Sequence, residues 1–167
     1  MHKLHLIPEC YAETTMVKLL FQDADLFNHA SGISQVSKIL SQKDKIDYKN
    51  IGFIDNDKHN VPQYFDEFQL LYSFENVALK KHPETNDFLV VVNPAIEKFL
   101  LSQLGVIKKQ PSEFGLPNDF NNFRKELKRG HIQYHEGYKK MIVELKDKRA
   151  PGVQFIIDSI NSLKVSN

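Results

Sequence analysis

The sequence predicts an α/β fold with a small, mostly parallel sheet of about four strands flanked by helices. Short apolar runs alternate with segments of helical periodicity through residue 105, and this alternation is typical of βαβ units. The run "FLVVVN", residues 88–93, has the unbroken apolar character of a strand buried on both faces. A helical segment, "AIEKFLLSQLG", follows it after Pro94.

The earlier elements follow the same alternation. "KLHLIP" predicts a short strand ending at Pro8, and "AETTMVKLLFQ" predicts an amphipathic helix that begins near residues 11–13. "DLFNHAS" has room for a short second strand, and "ISQVSKILSQ" carries a helical apolar stripe after Gly32. A polar connection then leads to a buried strand at residues 51–54.

The chain becomes polar and helical after residue 107. Asn118 or Asp119 is placed to cap a helix in "PNDFNNFRKELKRG", and further helical segments follow. Between the predicted strands, "YFDEFQLLYSF" is expected to be helical or irregular. The simplest organisation is one domain, in which residues 1–107 form a core and residues 108–167 form a helical, basic extension packed on it.

Composition and charge limit the class of protein. At 167 residues, with 41% hydrophobic and 26% charged residues, the chain is long enough for one compact domain of the soluble globular type. Residues 1–107 carry 10 Lys and Arg against 14 Asp and Glu, whereas residues 108–149 carry 11 against 6. This basic segment either contacts a polyanion or is a solvated, lysine-rich helix face.

Cysteine usage and hydropathy exclude further classes. Cys10 is the sole cysteine, so the sequence predicts no intrachain disulfide and no cysteine-based zinc site. The first ten residues lack the apolar region of a signal peptide, and no run approaches the roughly 20 apolar residues of a membrane span. We therefore expect a cytoplasmic protein with no membrane association.

Acidic residues recur where the parallel strands are predicted to end. Ligands of open α/β sheets collect at the carboxyl ends of the strands. Carboxylate oxygens suit Mg²⁺ or Mn²⁺, and close like charges are costly without a cation. The residues at these ends, which together predict a divalent-metal site, are Glu9, Glu13, Asp55, Asp57 and Glu97.

Each acid also has an ordinary structural explanation. Asp and Asn are favoured in turns, so "DND" at residues 55–57 is equally typical of a turn. Glu9 and Glu97 are placed to interact with the dipole of a helix near its first turn. The recurrence of acids at successive strand ends, rather than any single acid, favours the metal site.

The order of these motifs resembles that of TOPRIM-type domains. "LIPECYAET" resembles the glutamate-containing opening of the family, and "IGFIDNDK" resembles its D-x-D motif after the third strand. "VVNPAIEKFLL" is similar to a segment of the OLD-family nuclease branch, and the layout of "HASGISQVSKIL" also agrees. The resemblance covers about residues 4–104 and departs from the family at Cys10, where the family has glycine.

The resemblance implies a four-stranded parallel sheet between helices, whose acids hold Mg²⁺ or Mn²⁺ for phosphodiester cleavage or nucleotidyl transfer. Glu9 would be the catalytic acid/base or a metal ligand, with Glu13 as an auxiliary catalytic acid. Asp55 and Asp57 would be metal ligands, and Glu97 would be an auxiliary acid beside the metal. Glycine would let the backbone approach a phosphate, so Cys10 bears on whether the site is catalytic.

Histidine and basic residues add two further hypotheses. His131 and His135 have the i, i+4 spacing of zinc ligands, but "HIQYHEG" lacks the H-E-x-x-H pattern, so two partly exposed histidines are the simpler interpretation. Four basic residues would spread over a helix surface that either contacts a nucleic-acid backbone or is solvated: Arg124, Lys125, Lys128 and Arg129.

The sequence therefore favours two functions of different classes. The first is a Mg²⁺- or Mn²⁺-dependent, TOPRIM-like nuclease that acts on nucleic acid. The alternative is a non-catalytic TOPRIM-like module that binds nucleic acid or a protein partner, such as a separate ATPase, in a defence or repair system.

Overall fold

A six-stranded sheet forms the centre of the chain, and helices cover both of its faces. The computed structural model describes residues 3–22, 26–27, 29–42, 48–56 and 60–165. The strands are β1 (Lys3–Pro8), β2 (Leu26–Phe27), β3 (Tyr48–Asp55), β4 (Gln69–Phe74), β5 (Val77–Lys81) and β6 (Asp87–Val92). The helices are α1 (Tyr11–Leu20), α2 (Ile33–Leu40), α3 (Ile96–Val106), α4 (Phe120–Leu127), α5 (Glu136–Asp147) and α6 (Pro151–Val165).

The predicted α/β class is confirmed, but the sheet is mixed and has six strands rather than about four. Its strand order is β2-β1-β3-β6-β5-β4, in which the first four strands are parallel and β5 is antiparallel to both of its neighbours, β6 and β4. Pro8 pairs with Phe53, and Asp55 pairs with Val92, so β1, β3 and β6 end at the same edge of the sheet. This common edge is the part of the fold that positions the acids.

The β4–β5 hairpin was not predicted. Residues 64–74 were expected to be helical or irregular, but only Gln63–Glu67 forms a short 3₁₀ helix, and β4 follows it as a strand. All six side chains of β4, which is the edge strand, are exposed. A strand with no buried face has no alternation of apolar and polar residues to identify it.

Alternate residues of the central strands supply two separate cores. Phe88, Val90 and Val92 of β6 pack into the core that contains α1 and α3, whereas Leu89 and Val91 face α2. This period of two is what a strand buried on both faces requires. The sheet is therefore covered on both faces by helices, as in doubly wound α/β folds.

The C-terminal helices pack on the same core as α1 and α3. Buried side chains of α4, α5 and α6 belong to that core, and Tyr138 of α5 donates its hydroxyl hydrogen bond to the carbonyl oxygen of Ala12 at 2.8 Å. Lys49 of β3 likewise donates from Nζ to the carbonyl oxygen of Leu163 at 2.7 Å. Within the described part of the chain, no helix is long and apolar enough to cross a membrane.

Candidate functional site at the carboxyl ends of the parallel strands

Two of the predicted acids flank the point where the strand order reverses. The chain leaves β1 toward β2 on one side and returns to place β3 on the other side of β1. In open α/β sheets, a ligand crevice forms at such a point, at the carboxyl ends of the strands. Glu9 directly follows β1 and Asp55 ends β3, so the fold brings these two carboxylates to the crevice.

Two hydrogen bonds fix Asp55 at this position. Its backbone N–H donates to Glu9 Oε2 at 3.2 Å, and its Oδ1 accepts from the backbone N–H of Ile96 at 2.9 Å. Ile96 is the first residue of α3, so the Asp55 carboxylate also interacts favourably with the positive end of that helix dipole. Glu9 and Asp55 are both buried.

Glu13 is the most deeply buried acid of the three. Its Oε2 accepts hydrogen bonds from the backbone N–H groups of Glu9 at 2.8 Å and Cys10 at 3.1 Å, which caps the start of α1. Its Oε1 is buried and has no hydrogen-bond partner among the described residues. Burial raises the pKa of Glu13 well above its usual value, and the charges of Asp55 and Glu9 raise it further.

A cleft of about 370 Å³ opens over Glu9 and Asp55. Its walls come from the residues after β1, from the residues that precede α2, from the ends of β3 and α4, and from the start of α3. They include three acids and three other polar side chains: Glu9, Asp55, Glu97, His29, Ser31 and Lys128. The cleft therefore combines carboxylates, an imidazole and an ammonium group in one concave surface.

Cys10 also lines this cleft, at the position where the resemblance to TOPRIM domains leads us to expect glycine. Its backbone is extended, with φ −133° and ψ 172°, so any residue can adopt this conformation. Burial raises the pKa of the Cys10 thiol well above its usual value, and the charges of Glu13 and Asp55 add to the effect. The side chain is therefore a neutral thiol, which does not favour a cysteine nucleophile.

The structure divides the four predicted basic residues into two pairs. Arg124 Nε and Lys128 Nζ lie 3.9 and 4.0 Å from Oε1 of the buried Glu97, and Lys128 also lines the cleft. Lys125 is exposed, and Arg129 instead pairs with Glu126 at 3.0 Å. The first pair therefore lies beside the acids, where a polyanion bound in the cleft would pass.

His29 is a residue of the cleft that the sequence did not indicate. Its Nδ1 lies 2.9 Å from the hydroxyl oxygen of Thr14, and its ring stacks on Tyr11 with the centroids 4.2 Å apart. Burial lowers the pKa of His29, and the charge of Lys18 lowers it further. The one signal in the sequence was its place after the short second strand, because that strand ends at the same edge of the sheet.

The structure gives His131 and His135 different local environments. His131 lies in the 3₁₀ helix Gly130–Tyr134 and pairs with Glu126 at 2.6 Å. His135 caps α5 by accepting a hydrogen bond at Nδ1 from the backbone N–H of Tyr138 at 3.1 Å. The two rings have separate structural roles, in agreement with the simpler interpretation of the sequence.

The acids suit a hard divalent cation by their chemistry, although their number is small. Among the described residues, no group of three His, Cys, Asp or Glu side chains has the arrangement of a metal site. Asp57, one of the predicted ligands, lies outside the described residues. Mg²⁺ often binds through only one or two carboxylates, with waters and substrate phosphates completing its ligands. The pair Glu9 and Asp55, with the unpartnered oxygen of Glu13 behind it, fits that mode of binding.

A larger cavity of about 620 Å³ lies near the opposite ends of β3 and β6. Its central carboxylate is Asp87, which accepts hydrogen bonds from Asn50 at 2.8 Å, Tyr64 at 2.9 Å and Thr85 at 2.8 Å. His82 in the same wall pairs with Glu67 at 3.0 Å. These groups satisfy one another, so the network stabilises the fold and offers a ligand little unsatisfied polarity.

The fold and the site together define an α/β protein with an acidic cleft at the switch point of a partly parallel sheet. No family model matches the sequence, and neither a curated protein nor a solved structure matches the chain. The TOPRIM-like identity therefore stays a prediction.

Proposed function

We propose that this protein is a TOPRIM-like, Mg²⁺- or Mn²⁺-dependent enzyme that cleaves phosphodiester bonds in nucleic acid or transfers nucleotidyl groups. The observation that carries the proposal is the convergence of Glu9, Glu13 and Asp55 at the switch point, with Glu13 Oε1 buried and unpartnered among the described residues. A buried ionised carboxylate oxygen with no partner is unfavourable unless a proton or a cation neutralises it.

Glu9 and Asp55 would hold the cation, and Asp57 is the further ligand that the sequence predicts. The cation would neutralise charge on the phosphodiester and lower the pKa of a water molecule. Glu13 would hold the loop after β1 through its two N–H hydrogen bonds and so keep Glu9 in place. Asp55 is kept in place from the other side by the N–H of Ile96.

Cationic side chains at the edge of the cleft suit a polyanionic substrate. Arg124 and Lys128 are each about half exposed and form only long ion pairs with Glu97. Exchanging such loose contacts for phosphate contacts releases counterions, which makes binding depend on salt. Replacing either residue with alanine should weaken nucleic-acid binding and reduce the salt slope by about one per lost contact. The matched control is Lys109→Ala, because Lys109 pairs with Glu113 at a surface site in the chain segment before α4.

Calorimetry with Mn²⁺ alone tests the cation site without any assumption about substrate. We expect binding to the wild-type protein and a large loss of affinity in Asp55→Asn. At a Mn²⁺ concentration about 100 times the Kd, the wild-type protein should gain about 2.7 kcal/mol of stability against unfolding. Glu136→Gln is the control for loss of one carboxylate, since Glu136 is exposed and pairs with Lys139.

Cleavage of several DNA and RNA forms with Mg²⁺ or Mn²⁺ tests the activity. Activity should disappear in the double variant Asp55→Asn/Asp57→Asn and persist in Glu136→Gln. Cleavage that survives the double variant would show that these acids do not carry the reaction. An activity lost equally in both variants would point to a folding defect instead.

The alternative function is a non-catalytic TOPRIM-like module that binds nucleic acid or a protein partner, such as a separate ATPase. The observation that favours it is the pair of cationic side chains Arg124 and Lys128 beside Glu97, which would hold a polyanion without any reaction at the acids. Mn²⁺ binding without cleavage of any nucleic-acid form would support this alternative and exclude the nuclease.

A further inference from the structure

The hydrogen bonds around His29 determine which ring nitrogen carries the proton. The hydroxyl group of Thr14 lies 2.8 Å from the carbonyl oxygen of Cys10, which can only accept, so the single hydroxyl proton is donated there. The same hydroxyl oxygen lies 2.9 Å from His29 Nδ1 and must therefore accept from it. Nδ1 consequently bears a hydrogen atom.

The other nitrogen of the ring is then available to the cleft. In a neutral imidazole with Nδ1–H, Nε2 has a free lone pair. No described residue forms a hydrogen bond with His29 Nε2, and the ring lines the cleft that Glu9 and Asp55 also line. The stacked ring of Tyr11, with an interplanar angle of 18°, limits rotation of the imidazole.

We propose that His29 Nε2 is the proton acceptor for the water molecule that attacks a phosphodiester bound in the cleft. This inference rests on the proposed function and adds the base that the three acids do not supply. Glu9 and Asp55 would be occupied by the cation, and Glu13 is committed to two backbone N–H groups. Glu97 also lines the cleft, but its Oε1 pairs with Arg124 and Lys128. His29 is a cleft residue whose hydrogen bonds leave a lone pair available.

The proposed step balances without any reactant beyond water. The water oxygen forms a bond to phosphorus as the bond from phosphorus to the leaving oxygen breaks. One proton of the attacking water passes to His29 Nε2, and the leaving oxygen takes a proton from solvent. The imidazolium then returns its proton to solvent, so the net reaction consumes one water and gives a phosphomonoester and an alcohol.

The surroundings of His29 favour the neutral ring that this role needs. Burial is the larger cause of its lowered pKa, and the positive charge of Lys18 on α1 acts in the same direction. The ring also stacks on Tyr11 and hydrogen-bonds to Thr14, both on α1, and the carboxylates of Glu9, Asp55 and Glu97 line the same cleft. At pH 7 the ring is therefore mostly in the form that accepts a proton.

Nitrogen-15 NMR of the ring tests the tautomer independently of activity. At pH 7.5 we expect His29 to show a protonated Nδ1 and an unprotonated Nε2. Thr14→Ser should preserve this pattern, because the hydroxyl remains, whereas Thr14→Val should let the second tautomer appear. A protonated Nε2 in the wild-type protein at this pH would overturn the proposal.

Activity measurements then separate the base from the cation site. His29→Asn keeps a donor for Thr14 but lacks Nε2, and we expect kcat to fall by about 10²–10⁴-fold with unchanged Mn²⁺ affinity. Imidazole added to His29→Ala should restore part of the activity, while the surface variant His131→Asn should behave as wild type. Unchanged kcat in His29→Asn, or loss of Mn²⁺ binding, would overturn the role of His29 and leave the cleavage by the Asp55 site intact. A wild-type protein that cleaves nothing would overturn both proposals.

Discussion

Replacing Glu13 with glutamine tests the electrostatics of the cleft in the metal-free protein. Burial, followed by the charges of Asp55 and Glu9, raises the pKa of Glu13, so the folded state favours the protonated carboxyl group. The stability contributed by a group with a raised pKa is present at low pH and is lost as pH rises through that pKa. In EDTA, the wild-type protein should therefore become less stable between the ordinary pKa of a glutamate and the raised pKa of Glu13.

The size of the effect follows from the unpartnered oxygen. Leaving a buried polar atom without a partner costs about 1–3 kcal/mol, and a charge increases the cost. In Glu13→Gln, the amide oxygen can still accept from the N–H groups of Glu9 and Cys10. Its NH₂ group would replace Oε1 near two carboxylates. We expect the free energy of unfolding at pH 8 to rise by about 1–3 kcal/mol. For a chain of this size, each kcal/mol raises Tm by about 2–4 °C.

Urea denaturation in EDTA at pH 5 and pH 8 is the assay. Glu13→Gln should flatten the fall in unfolding free energy between the two pH values, whereas Glu136→Gln at the exposed surface should follow the wild type within about 0.5 kcal/mol. A variant that is less stable than the wild type at pH 8, with the same pH dependence, would refute the argument. Glu13→Ala should be destabilising at both pH values because it removes the cap of α1.

Three further outcomes are expected from other parts of the structure. Gly52→Ala should cost about 1–3 kcal/mol in urea denaturation, because a Cβ atom there would lie 2.8–3.0 Å from three packed side chains; a neutral result would contradict the tight packing of α2 on β3. Tyr138→Phe should cost about 1 kcal/mol by removing the hydrogen bond to Ala12, without changing Mn²⁺ affinity measured by calorimetry. Cys10 should react with a thiol reagent more slowly than free cysteine at pH 8, because its raised pKa keeps it protonated; fast reaction would disprove that protonation state.

The parallel part of the sheet could be predicted because its strands are buried on both faces. Such strands appear as apolar runs, and the strand at residues 88–93 was predicted within one residue of the observed Asp87–Val92. The edge strand β4 could not be predicted, since none of its side chains is buried and its sequence carries no periodic signal. Apolar residues identify a strand in the sequence only where the fold buries them.

The candidate site was predictable only where it follows from local sequence. Glu9 and Asp55 could be placed together because each follows a strand and the parallel strands end at one edge. The position of Arg124 beside Glu97 depends on the packing of α4 against α3, which nothing in either segment indicates. The orientation of the His29 ring likewise depends on a hydrogen bond to Thr14, which is fifteen residues away in the sequence.

Gly52 is required by the packing of the fold and not by the chemistry of the cleft. The side chains of Val36 and Leu40 on α2 and of Leu89 on β6 occupy the space that any larger residue would take. A homologue that diverged in activity would still have to keep glycine there, because the constraint comes from the contact between α2 and β3. A homologue that retains Gly52 but has other residues in place of Glu13 and His29 would therefore have kept the fold and lost the proposed chemistry.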